Sequence, residues 1–513
     1  LGTSSGLYHY HPHDNSAVQL LPELKEEVFS SILHDPRKQV SWLGSLTNGV
    51  YCIDEKFRIK KHYYDKSPQQ LAEKAVRTLA QDDKGRIWIG TINALFILEP
   101  ETEKIQRHAF SHEDQNSLGH NSVRSILKDN QGGMWVGTFY GGLNYHHPMA
   151  PAFGTLVYSA YKNSISDNTV SCIVEDPHTG NLWIGTNDGG LNEYDRKNNH
   201  FSVYRANHHN ARALQSDNIK CVLPDADGIY IGSHGGGLSY LSARTKQIEN
   251  YTFPEAVSFS NSCYSLLDGQ DGTLWVGSII GLYRFDKKTG QLSLHPLAQE
   301  YPRLNSILIS VLYRDSANRI WIGTEESLFV YANGKLEEWK DGTSGVPALI
   351  QAFCIQEDSN HRIWIGSSDG LYKSDDGSVG QQVRYSTQNG LPNNFIYGIL
   401  EDGRGRLWLT TNRGLSCFDP AEETFLNYTV QDGLSHGQFN TYGACKTKDG
   451  IFFLGSLQGI TYFNPYEFVD NPYSPNAVIT GASIQNQPVA KIKDGVSKFF
   501  RQTESVCLQT GRI

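Results

Sequence analysis

The stretch GGMWVGTFYGGLNYHHP, Gly132 to Pro148, decides the fold. A tryptophan stands two residues before Gly-Thr, and Gly-Gly-Leu follows close behind. The glycine of this W-x-G-[TS] phrase returns at Gly44, Gly90, Gly137, Gly185, Gly277, Gly323 and Gly366. Copies without the tryptophan fall at Gly2, Gly232 (YIGS) and Gly455 (FLGS), and Thr410 takes the glycine place in WLTT. That makes eleven copies, 42 to 48 residues apart. Eight of the nine tryptophans hold the register: Trp42, Trp88, Trp135, Trp183, Trp275, Trp321, Trp364 and Trp408, with Trp339 outside it. Self-similarity at a period of about 40 to 50 residues marks a repeat architecture.

Each copy divides into four short strands. Around Trp135, SVRSILKD is the first, NQGG a turn, MWVGT the second, FYGG a turn and LNYHH the third. A segment like FSVYR of the next copy supplies the fourth. Glycine serves the turns by adopting positive φ, and Asn318 replaces it in DSANRIW because asparagine tolerates the left-handed region. Four strands per period is the signature of a β-propeller blade, so the chain is expected to be all-β. The tryptophan is expected to cover the face between adjacent blades, with about 150–250 Å² to bury. The glycine two residues on is expected where the neighbouring backbone passes close. A tryptophan platform for sugars fits less well, since nearly every copy carries the residue.

Propellers close with about four to eight blades, so eleven copies exceed one ring. The break falls at NYHHPMAPAFGTLVY, where Pro148 and Pro151 interrupt the pattern. The expected organisation is tandem propellers. Residues 1–150 form the C-terminal part of a first one, about four blades. Residues 151–468 form a complete seven-bladed second one, and 469–513 a linker and the first strands of a β-sandwich. The segment AVITGASI alternates like a strand of that last domain.

Bulk properties agree. A chain of 513 residues is too long for one ordinary core. Its 49 glycines, 11% aromatics and two methionines suit short strands and tight turns. A net charge of -9 argues against a general nucleic-acid binder. No run of about 18 apolar residues is long enough to span a membrane. The opening LGTSSGLYHY already reads as the middle of a repeat, so the chain is taken as a fragment and the lack of a targeting segment as uninformative.

Catalytic and metal chemistry is sparse. Cys172, Cys221, Cys354 and Cys445 each stand four residues before Asp176, Asp225, Asp358 and Asp449. A small buried group suits that place, and free thiols are expected. No zinc-ligand spacing occurs among the eight cysteines. The recurring aspartate suggests calcium at DADG (Asp225 to Gly228), but the full EF-hand pattern is lacking and an Asx-type turn is favoured. Histidines cluster at His9, His11 and His13, at His146 and His147, and at His208 and His209, without partners at ligand spacing. No metal and no cofactor are expected. No nucleophile elbow or phosphate loop is present, and SHGGGLS only repeats the TNDGGLN turn. A glycosidase would need two carboxylates across a pocket. The acidic turn pair in TEES, Thr324 to Ser327, is as readily a solvated turn.

Binding belongs on the loops that vary between copies. The turns between second and third strands read FYGG, NDGG, HGGG, IIG, EES, SDG, NRG and LQG. They share a face with the linkers leading into each first strand. Candidate ligand residues there are Tyr140, Asn187, Asp188, His234, Asp369, Asn412 and Arg413, with Arg124, Lys220, Asn394 and Tyr397 at the first-strand starts. Aromatic faces mixed with hydrogen-bonding groups suit a sugar.

The units NSVRSILKDNQGGMWVGTFYGGLNYHHP and NTVSCIVEDPHTGNLWIGTNDGGLNEYDRKNNHFSVY resemble the regulator-propeller repeat. So do NGLPNNFIYGILEDGRGRLWLTTNRGLSCFDP and DGLSHGQFN. That repeat occurs in the sensor regions of hybrid two-component histidine kinases of polysaccharide-degrading gut bacteria. FNPYEFVDNPYSPNAVITGASIQNQPV resembles the linker into that family's tyrosine-rich β-sandwich. The resemblance implies a non-catalytic periplasmic sensor of an inner-membrane protein that binds a glycan-derived oligosaccharide. It also implies a homodimer that relays a rearrangement to a kinase, with membrane attachment through segments absent here and no nucleic acid bound through this region. A propeller lyase or glycosidase, and a protein-interaction scaffold, are the alternatives.

Overall fold

The structure is a computed structural model describing residues 1–64, 71, 73–112, 117–149, 153–254, 260–339, 351–375, 382–468, 483–484 and 487–488. The chain divides into two compact units, Leu1–Phe468 and Val469–Ile513. In the second, Ser483–Ile484 pairs antiparallel with Gln487–Pro488, and the rest of the expected β-sandwich start lies outside the described residues.

The first unit is a succession of antiparallel sheets in which each strand pairs with the next in sequence. Seven of these sheets close a ring. Their innermost strands are Val170–Glu175, Ile219–Asp225, Cys263–Asp268, Ile309–Arg314, Ala352–Glu357, Ile396–Glu401 and Phe439–Lys446, each against the next, and the last returns to the first. They are called blades one to seven here. Blade seven runs inward to outward as Phe439–Lys446, Phe452–Ser456, Gly459–Phe463, and its outer strand is Gly154–Leu156 from before blade one. The ring is thus closed by a strand from its own beginning, which removes a free edge. Phe153 adds to the closure, packing edge-on to Phe463 with ring centroids 5.1 Å apart.

Four further sheets precede the ring; Phe29–Asp35, Val76–Gln81 and Val123–Lys128 are the innermost strands of the second to fourth and lie in consecutive contact, and Gly2–Thr3 of the first, in the second-strand place, packs against Phe29–Asp35. The fourth corrects the sequence-based expectation of four strands. It has three, Val123–Lys128, Met134–Thr138 and Leu143–His146, because the next strand of the chain joins blade seven instead. Leu127, Leu143 and Tyr145 of this sheet are exposed.

The repeat phrase is explained by packing between blades. Trp364 of blade five lies in one cluster with Ile396, Ile399, Leu407 and Leu409 of blade six. Trp408 of blade six packs with Phe439, Phe452 and Phe463 of blade seven. The glycine after each tryptophan is required by that approach. A Cβ on Gly366 would lie 2.5 Å from Cys354 Sγ and 2.8 Å from the Ile396 carbonyl oxygen of the next blade. Blade six swaps the two places: Thr410 occupies the glycine position, and Gly398 opposite it occupies the small-residue position. Trp339, outside the register, is fully buried beside Trp321, at 5.5 Å between ring centroids.

The recurring aspartate ties turn to tryptophan. Asp358 Oδ1 accepts the backbone N–H groups of Asn360 and Arg362. Its Oδ2 accepts from Arg362 Nε at 2.6 Å and from the Trp364 indole N–H at 2.8 Å. The same arrangement recurs at Asp82, Asp315 and Asp402. This is the expected Asx-type turn, with an indole bond in addition. Blade seven departs from the expected register. Thr447 takes the aspartate place, its N–H bonded to the Ile451 carbonyl, and Gly443 takes the small place against Gly455. Asp449 instead pairs with Arg196 at 2.7 Å, and Cys445 packs into the cluster shared with blade one. The other described cysteines are thiols, and Cys221 and Cys263 approach with sulfurs 3.9 Å apart.

Candidate functional site

Every innermost strand of the ring carries a bulge near its start. In blade six Ile396 pairs with Thr411 and Gly398 with Thr410, leaving Tyr397 as the extra residue. The corresponding residues are Ser171, Lys220, Tyr264, Ser310 and Phe353 in blades one to five. A bulge re-aims one side chain out of the alternation, here seven-fold around one axis. Ser171 and Ser310 turn back to the next blade, donating to the Ile219 and Ala352 carbonyls. Tyr264, Phe353 and Tyr397 instead line an axial cavity of about 280 Å³, together with Cys172, Cys221 and Cys354.

Blade seven differs. Phe439 pairs with Ser456 and Ala444 with Leu454, so two residues more than in the other blades are inserted between them. The expansion carries Tyr442, at φ 60°, into the cavity. Its hydroxyl donates to the Ser310 carbonyl of blade four, across the ring. Tyr442 also packs against the clusters around Trp183 and Trp321. Burial pushes its phenol well above the ordinary range, so it is a neutral strut. Burial likewise raises the Cys172 and Cys354 thiols to about 12, which makes the wall unreactive at neutral pH. The axis is therefore crossed inside, and the bulge residues form a mouth on one side of the strut.

Part of the sequence-predicted set meets at this mouth. Lys220 Nζ donates to Asn187 Oδ1 of the preceding blade at 3.2 Å. Burial lowers its ammonium, and no carboxylate among the described residues lies within 4.0 Å. His234 bonds the Tyr264 hydroxyl at 3.1 Å, and burial holds its imidazole below the ordinary value. Tyr397 stands 5.2 Å from Phe353 and 6.3 Å from Phe395 between ring centroids.

Other predicted residues serve the framework or lie outside the mouth. Asn394 Oδ1 accepts the Thr387 N–H and fastens the loop before blade six. Asp369 is engaged by Arg384. Asp188, Asn412 and Arg413 are exposed on turns, as are Glu325 and Glu326. Arg124 and Tyr140 belong to the fourth leading sheet, where Arg124 lies 4.3 Å over the Phe139 ring. Tyr264, Phe353 and Tyr442 were missed by inspection of the turns. Their signal is positional: each directly precedes the small residue of an innermost strand.

A closed ring of W-x-G blades with bulge residues around its axis defines a β-propeller. Five segments, residues 70–93, 117–140, 164–188, 303–326 and 390–413, match the two component regulator propeller family. Histidine kinase P4 of Formosa agariphila is 28% identical over 305 residues, 56% of this chain and 22% of that protein. The extracellular domain of the hybrid two component system BT3049 from B. thetaiotaomicron is similar at TM-score 0.62 and 22% identity, over 93% of this chain and 73% of that one. The extracellular domain of BT4673 from the same organism is similar at 0.51 and 18%, over 95% and 64%. At these identities the likeness is one of fold.

Proposed function

We propose that this chain is the extracytoplasmic ligand-sensing region of a two-component signalling protein, and that the mouth of the ring takes a glycan-derived oligosaccharide. The observation carrying this reading is the convergence of Tyr264, Phe353 and Tyr397 from bulges of three blades, beside Lys220, Asn187 and His234. Flat aromatic faces cover the apolar faces of a sugar ring, and the polar groups orient its hydroxyls. The strut at Tyr442 keeps the ligand on one side, which suits binding without passage. The thiols of the wall offer no nucleophile at neutral pH. Occupation of the mouth is relayed, in a homodimer, to a membrane-linked histidine kinase.

Calorimetry of the chain against glycan oligosaccharides, with chromatography of the sugars afterwards, tests this. Saturable binding with the sugar recovered intact is expected, and Tyr397→Ala and Phe353→Ala each weaken it about tenfold, about 1.4 kcal/mol, at unchanged melting temperature. Cleaved sugar would make it an enzyme. Unchanged dissociation constants in both variants would remove the mouth as the site.

A further inference from the structure

Three of the four leading sheets use the same bulge with different residues. Phe29 pairs with Ser45 and Ser31 with Gly44, leaving Ser30. Val76 and Thr78 enclose Arg77, and Val123 and Ser125 enclose Arg124. Ser30 folds back onto the Val76 carbonyl at 2.6 Å, as the ring serines do. The two arginines stand on consecutive sheets at the position that forms the ring's mouth.

Both are held in place. Arg77 Nη1 donates to Ser122 Oγ at 2.7 Å, two residues before Arg124. The Arg124 guanidinium lies over Phe139. Neither has a carboxylate within 4.0 Å among the described residues. This contrasts with the turn arginines, since Arg86, Arg319, Arg362 and Arg406 each have an aspartate at 2.6–2.9 Å. Two cations side by side without a counter-charge repel each other, and the guanidinium of Arg77 is disfavoured by burial and by Arg124. A bound anion relieves that repulsion. Guanidinium forks match the planar or tetrahedral oxygens of carboxylates and sulfate esters better than any neutral group.

We propose that Arg77 and Arg124 form an oxyanion-binding site on the leading sheets, separate from the mouth of the ring, that takes a carboxylate or sulfate group carried on a saccharide. Ser122 and Phe139 preorganise the pair, and the exposed Tyr140 beside Phe139, at 4.4 Å between ring centroids, offers a face for the sugar bearing the anion. The saccharide partner rests on the function proposed above, whereas the oxyanion chemistry does not.

The test is titration of the 513-residue chain with a sulfated disaccharide, a uronate-containing disaccharide and their neutral counterparts, at two salt concentrations. At least one anionic probe is expected to bind tenfold or more tightly than its neutral counterpart, with affinity falling as salt rises. Arg124→Gln and Arg77→Gln should each abolish that preference, and Arg124→Lys should restore part of it. Lys220→Gln should leave it unchanged, which separates this site from the mouth. Ser122→Ala, which keeps both charges, should cost a smaller factor. Equal binding of charged and neutral probes, a preference that survives both arginine variants, or one that disappears in Lys220→Gln would overturn the proposal. Which probe wins distinguishes sulfate from carboxylate.

Discussion

Blade six and the fourth leading sheet start from one phrase and end in different environments. Trp408 is fully buried, with Tyr428, Phe463 and Phe468 within 5.7 Å between ring centroids and blade seven across from it. Trp135 is half-buried and meets Tyr145 of its own sheet at 4.3 Å. The aspartate bond to the indole N–H is present in both, at 3.0 Å and 2.9 Å. The repeat thus supplies the turn, the indole bond and the pairing locally. Burial of the indole comes from the next blade, and only a closed ring provides one for every sheet.

The sharpest way to break this comparison is to reopen the ring. A chain beginning at Ser159 lacks Phe153 and the strand Gly154–Leu156, and is expected to lose about 5 kcal/mol or more of ring stability, read by urea denaturation against a chain beginning at Pro151. Equal midpoints would mean that closure contributes nothing. Next in size, Trp408→Ala should cost about 3–5 kcal/mol and Trp135→Ala about 1 kcal/mol, measured the same way. Similar costs would show that the indole acts within its sheet.

The aspartate gives a third test. Asp402 is buried and its removal strands Arg406 and the Trp408 indole, so Asp402→Ala should cost about 3 kcal/mol, with a smaller loss for Asp129→Ala. A fourth, smaller effect depends on pH. His295 is buried against Trp275 at 4.0 Å and accepts the Leu297 N–H; burial, reinforced by Arg284, pushes it down to about 4. The unfolded chain titrates it near its ordinary value of about 6.5 and therefore binds more protons between the two. Its contribution is complete above about pH 6.5 and is lost as the pH falls toward about 4, on the order of 2 kcal/mol. His295→Asn should flatten that part of the pH–stability curve, and a slope that persists in the variant would assign it to other groups.

The blade was legible because its determinants are local. Tryptophan, glycine and aspartate recur at fixed offsets, and each offset is a covalent distance along one hairpin. The displaced register of blade seven was not legible, because an expansion of two residues leaves the composition unchanged and shows only in which atoms pair. Counting from Cys445 to Asp449 therefore landed two residues late. The mouth was half legible. Asn187 and His234 were picked out on the variable turns, and Lys220 and Tyr397 at the first-strand starts that share a face with them. Tyr264 and Phe353 escaped, since a lone aromatic inside a strand looks like core until the bulge shows where it points.

What the amino-acid sequence determined by itself was the unit: a four-stranded blade, its turn chemistry, its period and the number of copies. Pattern suffices there because hydrogen bonds and φ preferences act over a few residues. Which blade carries the closing strand, which side chain crosses the axis, and which two arginines stand together without a carboxylate among the described residues were decided by tertiary structure. Those properties belong to pairs of residues tens to hundreds of positions apart, brought together only when the sheets pack around a common axis.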